Sequence, residues 1–496
     1  MHPTIHAQAT PDKPAYIMAR SGEVVTYAEL EARSNQGAHL LRSLGLRRGD
    51  GIALMLENDA RFFEIVWAAQ RAGLYYTCIS TRLAPPEIAF IIADSGSRVL
   101  VASAPVADEL ATPELAIFAP GARDFVAERS AFPETAIADE SPGNDMLYSS
   151  GTTGRPKGIR PALPEGSLDQ TNPLTEFGKA AFDMTSDMIF LSPAPLYHSA
   201  PLRWCMVVQK LGGTVIVMEK FDEEEALALI ERHHVTHAWF VPTHFIRMLK
   251  LPEDVRERYD LSSLRLVYHA AAPCPVEVKK AMMTWFGPII HEFYSGTEAN
   301  GLTTIGPKEW LERPGSVGRA YWGSIRICGE DGEPLPAGAT GAIYFADGYA
   351  FEYHNDPEKT AASRNQHGWT TLGDVGHVDE AGYLYLTDRQ SFMIISGGVN
   401  IYPQEIEDAI ITHPRVADVA VIGAPDAEMG ERVVAVVQPV DWADAGPTLV
   451  EELSAWLQGR IGRIKQPRQI DFVRELPRHP TGKLLKRLVR ETYWPG

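Results

Sequence analysis

Hydrophobic positions fall into short blocks whose spacing changes along the chain. Near the start, Thr26-x-x-Glu29 stands ahead of apolar Leu30, Leu40 and Leu41, the arrangement of a capping box at the head of an amphipathic helix. The unbroken run Ile52-Ala53-Leu54-Met55-Leu56 reads as a buried strand, and Ala60 to Ala72 as a second helix. From Gly213 to Tyr294 the two periods alternate. Thr214-Val215-Ile216-Val217 is followed by a helix capped at Asp222, by Ala238-Trp239-Phe240-Val241, by Leu264 to Tyr268, by a helix near Glu277 and by Ile289-Ile290. Such alternation predicts crossover units on a parallel sheet.

Glycine and proline become dense between Pro307 and Gly341, where short runs such as Ser324 to Cys328 and Gly341 to Phe345 predict a small β-rich lobe. After Asp388-Arg389 the pattern restarts, with a helix from Pro403, strands at Val419 to Ile422 and Val433 to Val437, and a helix at Leu449 to Leu457. The fold class is therefore α/β: a large, multi-lobed N-terminal domain with parallel-type sheets and the β-rich lobe over 1–388, and a small α+β C-terminal domain over 389–496.

Composition narrows the function. The 496 residues are 45% hydrophobic and 22% charged, which excludes disordered and fibrous classes. Lys and Arg number 46 against 64 Asp and Glu, a net charge of −18 spread along the chain. Non-specific binding to nucleic acid or an anionic membrane is disfavoured. Cys78, Cys205, Cys274 and Cys328 form no CxxC pair, so neither a disulfide framework nor a zinc site is indicated, and all four read as reduced core residues. The N-terminus lacks a basic segment followed by an apolar run, and no stretch has the apolar length that spans a bilayer. The expectation is a cytoplasmic enzyme without integral membrane association.

The most informative segment is Tyr148-Ser149-Ser150-Gly151-Thr152-Thr153-Gly154-Arg155-Pro156-Lys157-Gly158. Its glycines and hydroxyls can turn backbone N–H groups and Oγ atoms toward phosphate oxygens, and Lys157 adds a positive charge. A Walker loop places its lysine directly after glycine, whereas Lys157 follows Pro156, so a GTPase-like reading weakens.

This segment resembles the signature of the adenylate-forming superfamily, which includes acyl-CoA and aryl-CoA synthetases, carrier-protein adenylation domains and firefly luciferase. Four further blocks resemble that family's in order: Tyr294-Ser295-Gly296-Thr297-Glu298, Gly368-Trp369 through Gly373-Asp374, Asp388-Arg389 with Gly397 to Glu407, and Pro477 to Lys483. The resemblance covers essentially the whole chain.

It implies ATP, Mg²⁺ and CoA as co-substrates and cofactor, and a role for each block. Attack of a carboxylate on the ATP α-phosphate joins two anions, so charge must be neutralised and the groups held in line. Ser149, Ser150, Gly151, Thr152, Thr153 and Lys157 would cradle phosphates, Glu298 would ligate Mg²⁺, and Thr297 would reach a phosphate oxygen. Tyr294 would offer its ring to adenine beside Ala272, and Asp374, assisted by Arg389, would accept the ribose hydroxyls. Lys483 would bridge carboxylate and α-phosphate, making it catalytic together with Thr297 and Glu298. In a second half-reaction the C-terminal domain would turn about Ser391, and pantetheine would lie along Gly397-Gly398.

The chain departs from the family pattern at two places. Where the family has Arg-x-Lys followed by an acid, this sequence reads Arg389-Gln390-Ser391-Phe392, and the Thr-Gly-Asp block reads Leu372-Gly373-Asp374. For the acid, Leu196 to Leu202 holds no carboxylate to pair a substrate ammonium, which argues against amino acids. His198, Trp204, Phe245, Tyr268, Ala270 and Ala299, with Leu302, form a largely apolar candidate pocket. They suit a medium or long fatty acid, an aryl acid such as a hydroxycinnamate, or an alicyclic or steroid acid. The reading is an AMP-forming acid–CoA ligase. Its alternatives are an acyl-AMP ligase serving a separate carrier protein and a non-catalytic nucleotide-binding relative. The expected partners are the small-molecule acid and CoA, with a homodimer left open.

Overall fold

The structure, a computed structural model, describes residues 1–106, 110, 112, 114–149, 156–478 and 484–494. The chain divides into two compact units, one made of Met1–Phe240, Lys250–Tyr268 and Phe351–Ala361, the other of Val241–Leu249, His269–Ala350 and Ala362–Gly496.

The first unit begins as its pattern dictates. Thr26 caps the helix Tyr27–Ser43, its hydroxyl accepting from the Glu29 amide while the Glu29 carboxylate accepts from the Thr26 amide, an arrangement worth about 1 kcal/mol. The run from Ile52 lies in the strand Gly51–Met55, which is buried along its whole length. That burial follows from an all-parallel sheet in the order Ala116–Phe118, Ser97–Ala102, Gly51–Met55, Tyr75–Cys78, Asn144–Asp145. A further parallel set runs His237–Phe240, Ile189–Ser192, Thr214–Val217, Pro14–Met18, closed by the antiparallel Val24–Thr26.

The second unit is mostly antiparallel. Its strands follow the order Ile290–Ser295, Leu302–Ile305, Ser316–Trp322, Leu384–Arg389, Thr370–Val378, Gly341–Ala346, Ser324–Cys328. The β-rich lobe thus reaches beyond the segment that its glycine and proline density marked. Ile290–Ser295, which follows the helix Val276–Phe286 as the alternation predicts, pairs antiparallel on one side with Leu302–Ile305. The link 296–301 is too short for a crossover, which needs a dozen residues or more.

Beyond residue 389, a sheet in the order Val399–Ile401, Ile394–Ser396, Gly430–Pro439, Val416–Asp426 takes Gln469–Phe472 onto Gly430–Pro439 in parallel. Helices Pro403–Ile411 and Pro447–Leu457 bury Ile406, Ile410, Leu449 and Leu453 in its core. All four cysteines are free; Cys78, Cys205 and Cys328 are buried, and Cys274 is only half-buried, a correction to its reading as core. Among the described residues, no helix is long and apolar enough to cross a membrane.

Candidate active site

In the first unit, strands Leu147–Ser149 and Lys157–Ile159 pair antiparallel, with Ser149 opposite Lys157 and Tyr148 opposite Gly158. The two ends of the glycine-rich segment are thereby held side by side. A Cβ on Gly158 would stand 2.9 Å from the Tyr148 ring, so glycine is what lets that ring lie across the hairpin. The Lys157 ammonium sits 4.9 Å from the centre of the Tyr353 ring, a cation–π distance. Ser150, Gly151, Thr152, Thr153 and Lys483 lie outside the described residues.

His198 is the extended residue that opens the helix Ser199–Leu211, its ring 4.5 Å from that of Tyr197. Trp204, on the same helix, is fully buried against Phe182 and Tyr268. Tyr268 in turn stacks on Phe182 with centroids 4.5 Å apart and planes at 3°. These two candidate pocket residues belong to a packed aromatic cluster.

In the second unit the ordered blocks converge. The strand Ile290–Ser295 runs into Gly296-Thr297-Glu298, and the Ser295 hydroxyl donates to the Gly301 carbonyl at 2.7 Å, closing the loop. A Cβ on Gly296 would meet Leu372 at 2.5 Å and Glu298 Oε2 at 2.8 Å. Glycine therefore leaves that carboxylate its place and lets the Leu372-Gly373-Asp374 segment approach. The Tyr294 hydroxyl donates to Asp374 Oδ2 at 2.6 Å, and Arg389 Nε lies 3.1 Å from Asp374 Oδ1. Asp374 and Arg389 face each other across adjacent strands. Burial, then the Asp374 charge, pushes the Tyr294 hydroxyl well up, so it stays a donor. The sequence reading used only the ring of Tyr294. The signal it passed over was the hydroxyl, a group that must find a partner when it turns inward.

Ala271 holds φ +77° and Ala299 φ +54°, both left-handed and both in loops that leave a strand. Ala270 is buried, and Ala272 follows in the same loop. Phe245, buried in helix Pro242–Leu249, sets its edge to the His269 ring at 5.5 Å. Behind it lies a cluster the sequence did not reveal: Lys279 donates to Glu292 Oε2 at 2.5 Å, and His269 Nε2 stands 3.3 Å from the same oxygen.

Toward the C-terminus, Gly397 (φ +56°) and Gly398 (φ +78°) form the turn between Ile394–Ser396 and Val399–Ile401. A Cβ would strike Met429 at Gly397 and meet nothing within 4 Å at Gly398, while Ile395 and Val399 beside them are exposed. Ser391 lies exposed in the single 3₁₀ turn Gln390–Phe392, and the Phe392 ring faces the Lys486 ammonium at 5.3 Å.

Known proteins resemble this chain over its full length. The AMP-binding enzyme family matches residues 4–352, and the AMP-binding enzyme C-terminal domain matches 405–483. Long-chain-fatty-acid–CoA ligase FadD13 of Mycobacterium tuberculosis is 32% identical, over 98% of this chain and 97% of its own. Feruloyl-CoA synthase of an Amycolatopsis species is 35% identical over 99% and 98%. The crystal structure of ATP-bound MatB from Rhodopseudomonas palustris superposes with a TM-score of 0.81 at 30% identity, covering 99% of both chains. The chain belongs to the AMP-binding enzyme family.

Proposed function

We propose that this enzyme activates an apolar carboxylic acid, of the medium- or long-chain fatty, aryl or alicyclic class, and transfers it to CoA. The activity is that of an AMP-forming acyl-CoA synthetase: ATP and the acid give acyl-AMP and pyrophosphate, and the CoA thiol then displaces AMP. The observation that carries the reading is the cluster of Tyr294, Asp374 and Arg389 beside Gly296-Thr297-Glu298. It fixes the Asp374 carboxylate between a phenol and a guanidinium, a geometry suited to a pair of ribose hydroxyls. Full-length similarity to both a fatty-acid and a feruloyl ligase supports an apolar acid. Within the second unit, Phe245 and Ala270, both buried, and Ala299 are apolar side chains of that kind.

In this reading Ser149 and Lys157 meet the phosphates with the hydroxyls of 150–153, Ala272 borders the base, and His198 lies toward the acid. Lys483 offsets the charge that builds between carboxylate and α-phosphate. Glu298 fits Mg²⁺, a hard cation that needs only one or two carboxylates when phosphates complete its shell, and the bare Cα of Gly296 keeps that carboxylate in place. Bound there, Mg²⁺ would neutralise phosphate charge. The boundary near residue 388, the hinge at Ser391, the CoA path along Gly397-Gly398 and a cytoplasmic location belong to the same proposal.

The test is mass-spectrometric product analysis with ATP, Mg²⁺, CoA and a panel of fatty, hydroxycinnamic, benzoic and steroid acids. One class should emerge as its CoA thioester with AMP and pyrophosphate, and Lys483→Ala should slow acyl-AMP formation about 10²-fold or more. Acyl-AMP that accumulates while CoA is ignored would overturn transfer to CoA in favour of a carrier protein.

A further inference from the structure

Asp94 stands at the end of helix Pro85–Ser95 and takes no part in the reaction just described. It nevertheless gathers segments far apart in sequence. Its Oδ2 accepts from the Tyr148 hydroxyl at 2.6 Å, and its Oδ1 accepts from Asn355 Nδ2 at 3.1 Å. Its backbone carbonyl lies 3.0 Å from His354 Nε2, and because a carbonyl only accepts, that nitrogen carries the proton. The His354 amide then donates to the Gly158 carbonyl at 2.8 Å, and Tyr353 bridges to Ile159. Asp94 therefore holds the strand entering the glycine-rich segment directly, and the strand leaving it through residues 353–355. A cavity of about 170 Å³ opens among these groups, lined by Asp94, Lys157, Tyr353, His354, Asn355 and Lys359.

The hairpin needs such bracing. Leu147–Ser149 and Lys157–Ile159 are three residues each, and an isolated pair of strands is marginal in water. A slip of one strand by one residue would put Ser149 and Lys157, which now share a face, on opposite faces. Tyr148, opposite Gly158, has no Cβ in its way and can carry its hydroxyl to Asp94.

We propose that Asp94 is a positioning residue for phosphate binding: by fixing the hairpin register it presents Ser149 and Lys157 to the phosphates of ATP. The inference rests on the ATP-dependent reading above. It is tested by calorimetric ATP affinity of the full chain with no acid present, alongside the thermal midpoint and the KM values for ATP and acid. Asp94→Ala should weaken ATP binding about tenfold, the effect of losing charge-assisted hydrogen bonds, and leave the KM for the acid within about twofold. Asp94→Asn keeps an oxygen for Tyr148, and its amide can donate to the Asn355 oxygen, so it should recover most of the affinity. Tyr148→Phe should cost about threefold, and serves where Asp94→Ala does not fold.

Wild-type ATP affinity in Asp94→Ala or Tyr148→Phe, with only a lowered thermal midpoint, would reduce Asp94 to a structural residue and overturn the inference. Asp94→Asn as weak as Asp94→Ala would overturn it too. If the wild type binds ATP but forms no thioester, the ligase reading fails, and the ATP affinities still decide on Asp94.

Discussion

Two buried lysine–glutamate pairs in the second unit titrate in opposite directions. At Glu292, burial alone would raise the pKa, but the Lys279 ammonium and then His269 outweigh it and bring it down to about 2. At Glu407, burial wins: the pKa rises to about 7 although Lys486 and the Val421 amide pull it down, and Asp388 adds to the rise. Geometry accounts for the contrast. Lys279 makes an aligned hydrogen bond of 2.5 Å, whereas the Lys486 ammonium lies 3.0 Å from Glu407 without hydrogen-bond alignment and also faces the Phe392 ring. The first pair bolts down the strand that carries Tyr294 and leads into Glu298. The second sits against the apolar Phe392 ring, and its one ammonium is shared between Glu407 and Asp408 with Asp388 nearby. A buried ion pair is thus firm or soft according to its alignment and its neighbours, not its composition.

The largest expected effect breaks the firm pair. Lys279→Met leaves Glu292 charged and buried, and removes the ammonium that lies 4.7 Å over the Trp310 ring. The expected loss is about 3–5 kcal/mol, read as a shift in urea midpoint at pH 7. A loss below about 1 kcal/mol would mean that Glu292 finds another partner and that the pair bolts nothing.

Paired glutamine variants then sharpen the contrast. Glu292 has a folded pKa of about 2 against an ordinary 4.5, so its stabilisation is present above pH 4.5 and drains as the pH falls toward 2. Glu407 has a folded value of about 7 against 4.5, so its ionised form costs stability, and that loss grows as the pH rises from 4.5 through 7. Glu292→Gln should therefore cost on the order of a few kcal/mol at pH 7 and converge on wild type in acid. Glu407→Gln should equal wild type near pH 5 and become the more stable of the two above pH 7. Chemical denaturation across pH 2–9 reads both curves. Parallel behaviour of the two variants would remove the distinction.

These pairs also mark where the sequence stops being legible. Caps and periods announced the helices that follow Thr26 and Asp222, because those signals are local. Ordered motifs led to the expectation that Tyr294, Glu298, Asp374 and Arg389 serve one site; the structure joins Tyr294 to Asp374 and Asp374 to Arg389, and their common role belongs to the proposal above. That Leu302–Ile305 turns back antiparallel on Ile290–Ser295 was not read, because an apolar run carries no sign of its partner's direction, and only the short link 296–301 held that information. Lys279 with Glu292, and Asp94 with Asn355, belong to no period or motif, so nothing in one sequence singles them out. Trp204 and Tyr268 are a third case: aromatic residues have the same composition in a core and in a pocket wall, and only the structure shows Tyr268 stacked on Phe182 and Trp204 tilted against it.

The smallest effect asks whether the loop itself adds rigidity above the firm pair. Ala271 sits exposed at φ +77° one residue beyond Ala270, and a side chain with a Cβ costs about 1–2 kcal/mol in that region. Glycine there removes the strain but gives the unfolded chain about 0.5–1 kcal/mol of extra freedom, so the net gain is about half a kilocalorie and roughly 1 °C in thermal midpoint. Ala272→Gly, where no left-handed backbone is relieved, should lower the midpoint by a similar amount. If the two variants move together, Ala271 is not strained, and the stiffness of the loop comes from the Lys279–Glu292 pair beneath it. If they move apart and Ala271→Gly also weakens ATP binding, the strained turn holds part of the geometry the nucleotide meets.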